Sequence, residues 1–104
     1  MVIKYNKLVR DKIPEIIEKD GKTCSTTILS DEDYISMLNA KLDEELKEYH
    51  SDDNLEELAD LMEVIYAIAK AKGYSESDLD KIRKEKALKR GSFNNKILLI
   101  EVNE

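Results

Sequence analysis

Two short acidic motifs carry the most pointed chemistry in this chain, Glu44-Glu45-Leu46-Lys47-Glu48 and Glu57-Leu58-Ala59-Asp60. Glu45 with Glu48, and Glu57 with Asp60, are spaced i, i+3, so on a helix each pair occupies one face. Two such pairs of hard oxygen donors suit Mg²⁺ or Mn²⁺, and suit Ca²⁺ less well without an EF-hand-like loop. The only histidine, His50, lies outside both motifs. The Glu-x-x-His pairs of a di-iron bundle are therefore missing.

The surrounding charge has a matching pattern. Net charge is −6 over 104 residues, which disfavours nonspecific nucleic-acid binding through a uniformly basic face. Between Asp43 and Glu63 nearly every charge is negative, Lys47 being the exception. Lys4, Lys7, Arg10 and Lys12 precede this region, and Lys81, Arg83, Lys84, Lys86, Lys89 and Arg90 follow it. A metal–polyphosphate site requires acid in the middle and base on both sides.

The elements that must position these groups are helices. Charged residues make up 38% of the chain and aromatics 6%, with only 3 Gly and 1 Pro, a balance that favours a mainly α, single-domain protein spanning 1–104. Leu8, Val9, Ile13, Ile16 and Ile17 suggest a short helix with Pro14 in its first turn, ended by Gly21. The Thr-rich stretch Lys22 to Leu29 reads as extended, and Lys96 to Val102 (KILLIEV) as a terminal strand that could pair with it. Ser30, with Asp33 three residues later, opens a helix from about Asp31 to about Tyr49. The polar stretch His50 to Asp53 is a short connection, with Asp52 or Asp53 capping the next helix, from about Asn54 to Lys72. A connection this short implies an antiparallel hairpin. Gly73 closes the second helix, Ser75 to Asp80 offers caps for a third, and Gly91 ends that one after about Lys89.

Helical angles place the acids. At about 100° per residue, with Leu38 at 0°, Leu42, Leu46 and Tyr49 form an apolar stripe and Glu45 falls at its edge. Glu48 is one step further round, and Glu44 further towards solvent. On the second helix Leu58, Leu61, Met62, Ile65 and Ala69 line one face, widened by Val64 and Ile68. Glu57 and Asp60 border that apolar surface, whereas Glu56, Glu63 and Lys70 point to solvent. An ionised carboxylate directed at an apolar interface is costly unless a cation or a donor satisfies it. A face this broad also suits a helix with neighbours on two sides, or one at a subunit interface.

With these residues in place, the chain resembles a known family. EELKE and ELAD match the E-E-x-x-E … E-x-x-D signature of the all-α NTP pyrophosphohydrolases, a superfamily including MazG-type enzymes. YNKLVRDKIPEII (Tyr5 to Ile17) and Lys86, Arg90, Gly91 and Phe93 in K-x-x-x-R-G-x-F are similar to its small MazG-like, phosphoribosyl-ATP pyrophosphohydrolase-like branch. The resemblance implies a MazG-like helical bundle around a central antiparallel hairpin, assembled as a homodimer or homotetramer. It implies Mg²⁺-dependent cleavage of a nucleoside triphosphate between its α- and β-phosphates, giving the monophosphate and pyrophosphate, with the clearing of noncanonical nucleotides as one expected role. Glu45, Glu48, Glu57 and Asp60 would then be metal ligands, with Glu44 a secondary candidate or a support and Glu45 or Glu48 as general base. Lys7, Arg10, Lys12, Lys86 and Arg90 would contact the triphosphate. Gly91 would permit the turn there, and Phe93 would pack the chain end in preference to stacking on a base.

Two other functions are compatible with the same residues: a phosphoribosyl-ATP pyrophosphohydrolase of histidine biosynthesis, and a helical protein that binds nucleotides without turnover. No stretch approaches the roughly 18 apolar residues of a membrane span, and Met1 to Arg10 lacks the apolar segment of a signal peptide. The single Cys24 offers neither an intrachain disulfide nor a zinc pattern. A cytoplasmic protein is the expectation.

Overall fold

Helix punctuation written into the sequence sets the architecture. The computed structural model describes the chain from Met1 to Glu104. It contains four helices and no strand: α1 (Ile13–Lys19), α2 (Asp31–Asp52), α3 (Leu55–Ala71) and α4 (Glu76–Arg90). Ser30 Oγ accepts the Asp33 N–H at 3.2 Å and starts α2. At α4, Ser75 Oγ accepts the Asp78 N–H at 3.0 Å while the Ser75 N–H donates to Asp78 at 2.9 Å, a complete capping box. That N–H donation holds the Asp78 carboxyl below its usual range.

Gly73 ends α3 with φ +92°, a conformation that suits a residue without Cβ. Its N–H reaches the Lys70 carbonyl at 3.0 Å, and the next N–H, of Tyr74, reaches Ala69 at 2.9 Å. Those are the two bonds of a Schellman stop.

The hairpin differs from expectation at its tip. α2 runs through His50 and Ser51 to Asp52 instead of stopping near Tyr49. Asp53 adopts the left-handed conformation, φ 50° and ψ 50°, and Asn54, not Asp52 or Asp53, caps α3. Asn54 Oδ1 accepts the Glu57 N–H at 2.9 Å. Asp tolerates the left-handed region, so two residues suffice to reverse the chain. The last turn of α2 thereby brings Asp52 to the level of the acidic motifs.

Two further expectations are corrected. The helix around Pro14 begins at Ile13, so Leu8 and Val9 lie in the non-helical segment before it. The pairing of Lys22–Leu29 with Lys96–Val102 does not form. Ile97, Leu98, Leu99 and Ile100 are 83%, 83%, 74% and 86% exposed. An extended segment on which nothing packs has no face to bury and gains nothing from a ladder.

Packing is dominated by α2 against α3. α4 touches α3 more lightly, and α1 stands off from the other helices. Leu38 and Val64 are the only buried hydrophobic residues, and neither is completely enclosed. The face of α3 turned to α2 carries Val64, half-buried Leu61 and Ile68, and the acids. Leu58, Met62 and Ile65, expected on the main apolar face, form a separate exposed stripe; Leu46 of α2 also points outward. The radius of gyration is 18.5 Å, against about 13 Å for a compact chain of this length. One copy is therefore an open arrangement around one hairpin. No helix is long and apolar enough to cross a membrane.

The hairpin tip gives a direct test. Asn54→Ala is expected to cost about 1 kcal/mol, read as a lower urea midpoint with an unchanged slope. An unchanged midpoint would show that Asn54 does not organise the turn.

Candidate metal centre

The site is built on the tip half of the hairpin, where α2 ends and α3 begins. Glu57 sits in the first turn of α3, its N–H fixed by the Asn54 side chain. Asp60 follows one turn on, at the same helix face. Glu45 faces them from α2. Carboxylate oxygens of Glu45, Glu57 and Asp60 all lie within 4.8 Å of one another. Three of the four expected ligands thus converge across the hairpin. Glu48 is half-buried beside the trio, and its charge acts on both Glu45 and Glu57.

Glu45 occupies a more central position than the edge of a stripe. It is 7% exposed, against 3% for Leu38 and 8% for Val64, and is the only buried polar residue. One of its oxygens faces the Lys41 ammonium at 3.4 Å; the other, Oε2, is buried without a hydrogen-bond partner. Oε2 of Glu57 is buried and partnerless as well. A buried acceptor normally has a donor, and two orphaned carboxylate oxygens facing a third carboxylate have none within the chain. A hard divalent cation fits this donor set, and Glu45, Glu57 and Asp60 would hold it.

The electrostatics agree. Burial, reinforced by the Glu48 charge, pushes the Glu45 carboxyl above its usual value. Burial also raises Glu57, with further contributions from Glu48, Asp52 and Asp60. Asp52 reads from the sequence as part of the connection and a candidate cap for α3, so its place beside the acids is not visible there. Its signal was the i, i+4 spacing from Glu48, visible once the helix is extended by a turn. Lys41 was missed too, although it precedes Glu45 by one turn.

The cations expected to meet a polyphosphate divide into two groups. Lys7 Nζ contacts Glu44 Oε1 at 3.0 Å, and Arg10 contacts Asp60 Oδ1 at 2.7 Å. The segment before α1 is thereby fastened along the acidic face. The hydrogen bond from Lys7 holds the Glu44 carboxyl below its usual range, and Lys7 is raised in return. Glu44 therefore serves as an anchor for Lys7 and Lys41. Lys12 sits exposed at the N-cap position of α1, while Lys86 and Arg90 are exposed on α4. None of these three makes an ion pair, so the chain by itself does not bring them to the acidic trio. Phe93 is 97% exposed and packs against nothing.

A stability measurement follows from the raised Glu45. Folding favours its protonated form, so its contribution is fully present below the ordinary value of 4.5 and is lost as pH rises through the raised folded value. In EDTA at pH 7, Glu45→Gln is expected to stabilise the protein by on the order of 1 kcal/mol, with the difference vanishing towards pH 4. Millimolar Mg²⁺ or Mn²⁺ should reverse the order by stabilising only the wild type. A destabilised Glu45→Gln in EDTA at pH 7 would show that the charge is already satisfied.

Comparison with known proteins adds a partial likeness. Over 47 residues, 45% of this chain, it is 49% identical to a protein of Mycolicibacterium smegmatis described only as uncharacterized. The likeness spans about half of that relative, 48% of its length. No protein-family model matches the chain. No solved structure matches it.

Proposed function

We propose that this protein is a divalent-metal-dependent nucleoside triphosphate pyrophosphohydrolase, cleaving between the α- and β-phosphates. The observation that carries the reading is the buried, half-partnerless Glu45 facing Glu57 and Asp60 with Lys7 and Arg10 at the rim. The likeness of EELKE, ELAD and the flanking motifs to the all-α NTP pyrophosphohydrolases supports it. Glu45, Glu57 and Asp60 hold Mg²⁺ or Mn²⁺, with Glu48 completing the acidic set. When bound, such a cation offsets charge developing on phosphate oxygens and lowers the pKa of an attacking water.

The chain's own residues supply the remainder. Glu48, half-buried beside the trio, accepts the proton of the water that attacks the α-phosphorus. The bond from that phosphorus to the oxygen bridging to the β-phosphate breaks, and pyrophosphate leaves. Lys7 and Arg10 hold the leaving group. Their present partners are exposed ion pairs, with side chains 53% and 59% accessible, and pairs of that kind are worth about 0–1 kcal/mol. Exchanging a surface carboxylate for a triphosphate therefore costs little. Lys86 and Arg90, one turn apart on α4, form a second cationic bank. Nucleoside triphosphates and Mg²⁺ meet in the cytoplasm, the location that goes with this activity.

The same reading includes a homo-oligomer, a dimer or a tetramer. Two buried hydrophobic side chains are too few for a stable single-copy core. Leu58, Met62 and Ile65 remain 40%, 50% and 37% exposed along one stripe of the central helix. A second copy laid on that stripe would bury it and stiffen the hairpin that holds the acids.

Two measurements test the proposal. Pyrophosphate release from a nucleotide panel with Mg²⁺ should fall by about 100-fold or more in Glu48→Ala, and at least as far in Asp60→Ala. Equal background rates in all three proteins would sink the enzyme, and tight Mg²⁺-dependent nucleotide binding without product would favour a binding protein instead. Light scattering at micromolar concentration should give a dimer or tetramer, and Met62→Glu should dissociate it. A wild-type monomer that unfolds cooperatively would contradict the assembly.

A further inference from the structure

One turn beyond Asp60 along α3, the surface opens into a half-open cleft of about 360 Å³. Its lining is Asp11, Tyr34, Glu63, Ala67, Lys70 and Ala71. The volume lies at the lower end of small-molecule pockets, roughly 300–1,000 Å³. Glu63, Ala67 and Lys70 continue the same helical stripe as Asp60, and Ala67 is about 10 Å further along the axis at 1.5 Å per residue. Asp11 directly follows Arg10, whose guanidinium rests on Asp60. The cleft thus lies about two turns along α3 from Asp60, a span that the sugar and base of a nucleotide with its phosphates at the trio can cover.

The lining has the chemistry of a base-binding slot. Ala67 and Ala71 are small, so a planar group can approach the helix closely, and the half-buried Tyr34 brings an aromatic ring to the lining. Stacking of a base on such a ring is worth about 1–3 kcal/mol and tolerates any base. Discrimination falls to the rim. Lys70 is committed to Glu76 at 3.2 Å, whereas Asp11 and Glu63 take part in no ion pair. The uncommitted rim groups are therefore two carboxylates, both hydrogen-bond acceptors when ionised. They accept from an exocyclic amino group and repel a carbonyl at the same position.

Resting on the pyrophosphohydrolase reading, we propose that this cleft is the nucleobase site and that Asp11 and Glu63 select bases bearing an exocyclic amino group. Cytosine is then preferred over uracil, and adenine over hypoxanthine. Tyr34 stacks on the base without choosing it. Asp11 and Glu63 are specificity residues; the metal and the attacking water lie with the other carboxylates.

The test is the ratio of kcat/KM within two pairs that differ by amino against carbonyl, CTP with UTP and ATP with ITP. The wild type should favour the amino member of each pair by about tenfold, a charged hydrogen bond discounted for an open rim. Glu63→Gln and Asp11→Asn keep shape but offer an amide that serves either base, and each should bring the ratios towards one while the UTP and ITP rates hold or rise. Tyr34→Ala should raise KM for all four nucleotides without moving the ratios, and Tyr34→Phe should restore KM. Turnover with equal kcat/KM within the pairs, or ratios unmoved by both carboxylate variants, overturns the base site while leaving the activity standing. Absence of turnover on every nucleotide overturns the activity and this proposal with it.

Discussion

A carboxylate buried between two helices with one oxygen unpartnered is the constraint on which the rest of the molecule turns. Glu45 lies at the same depth as Leu38 and Val64, the two hydrophobic residues that close the hairpin. Removing an ionised group from water costs several kcal/mol unless donors or a cation replace the lost hydration. Lys41 replaces part of it, at 3.4 Å and on one oxygen only. The Glu48 charge deepens the deficit, and oxygens of Glu57 and Asp60 lie within 4.8 Å. Such an arrangement weakens a small core unless a donor or a cation offsets its negative potential.

The same constraint explains the shape of the chain around the site. The segment before α1 is tied down at Lys7 and Arg10, on carboxylates at the rim of the acidic group and not on an apolar surface. Its placement is electrostatic, so it can be released by whatever competes for those charges. The hairpin, in contrast, is set by caps and a left-handed Asp53, and its two-residue turn leaves little freedom in the relative height of α2 and α3. A rigid acidic floor under weakly held cations is suited to a ligand that carries its own negative charge and arrives with metal.

Much of this was legible in the sequence because it depends on local periodicity. The i, i+3 spacing of Glu45 with Glu48 and of Glu57 with Asp60 put each pair on a face, and Ser30, Gly73, Ser75 and Gly91 marked helix ends. Features set by tertiary context were harder to read. The end of α2 shifted past Tyr49 because His50 and Ser51 are weak breakers and Asp53 could take the left-handed turn, which concealed Asp52. Periodicity joined Leu58, Met62 and Ile65 with Leu61, Val64 and Ile68 into one broad face, and did not tell which part of it packs on α2. KILLIEV has strand composition, but pairing needs a partner and a covering layer, neither of which composition supplies. The cleft at Tyr34 and Ala67 joins residues far apart in sequence and has no linear signature.

The central claim is that the trio of Glu45, Glu57 and Asp60 is a divalent-cation site, and calorimetric titration of the metal-free protein with Mn²⁺ tests it without requiring any substrate. The account predicts saturable binding in the wild type, weakened at least tenfold in Glu57→Gln, a change that removes one charged ligand while preserving shape. Binding of equal strength in both proteins, or no saturable binding by the wild type, would contradict it.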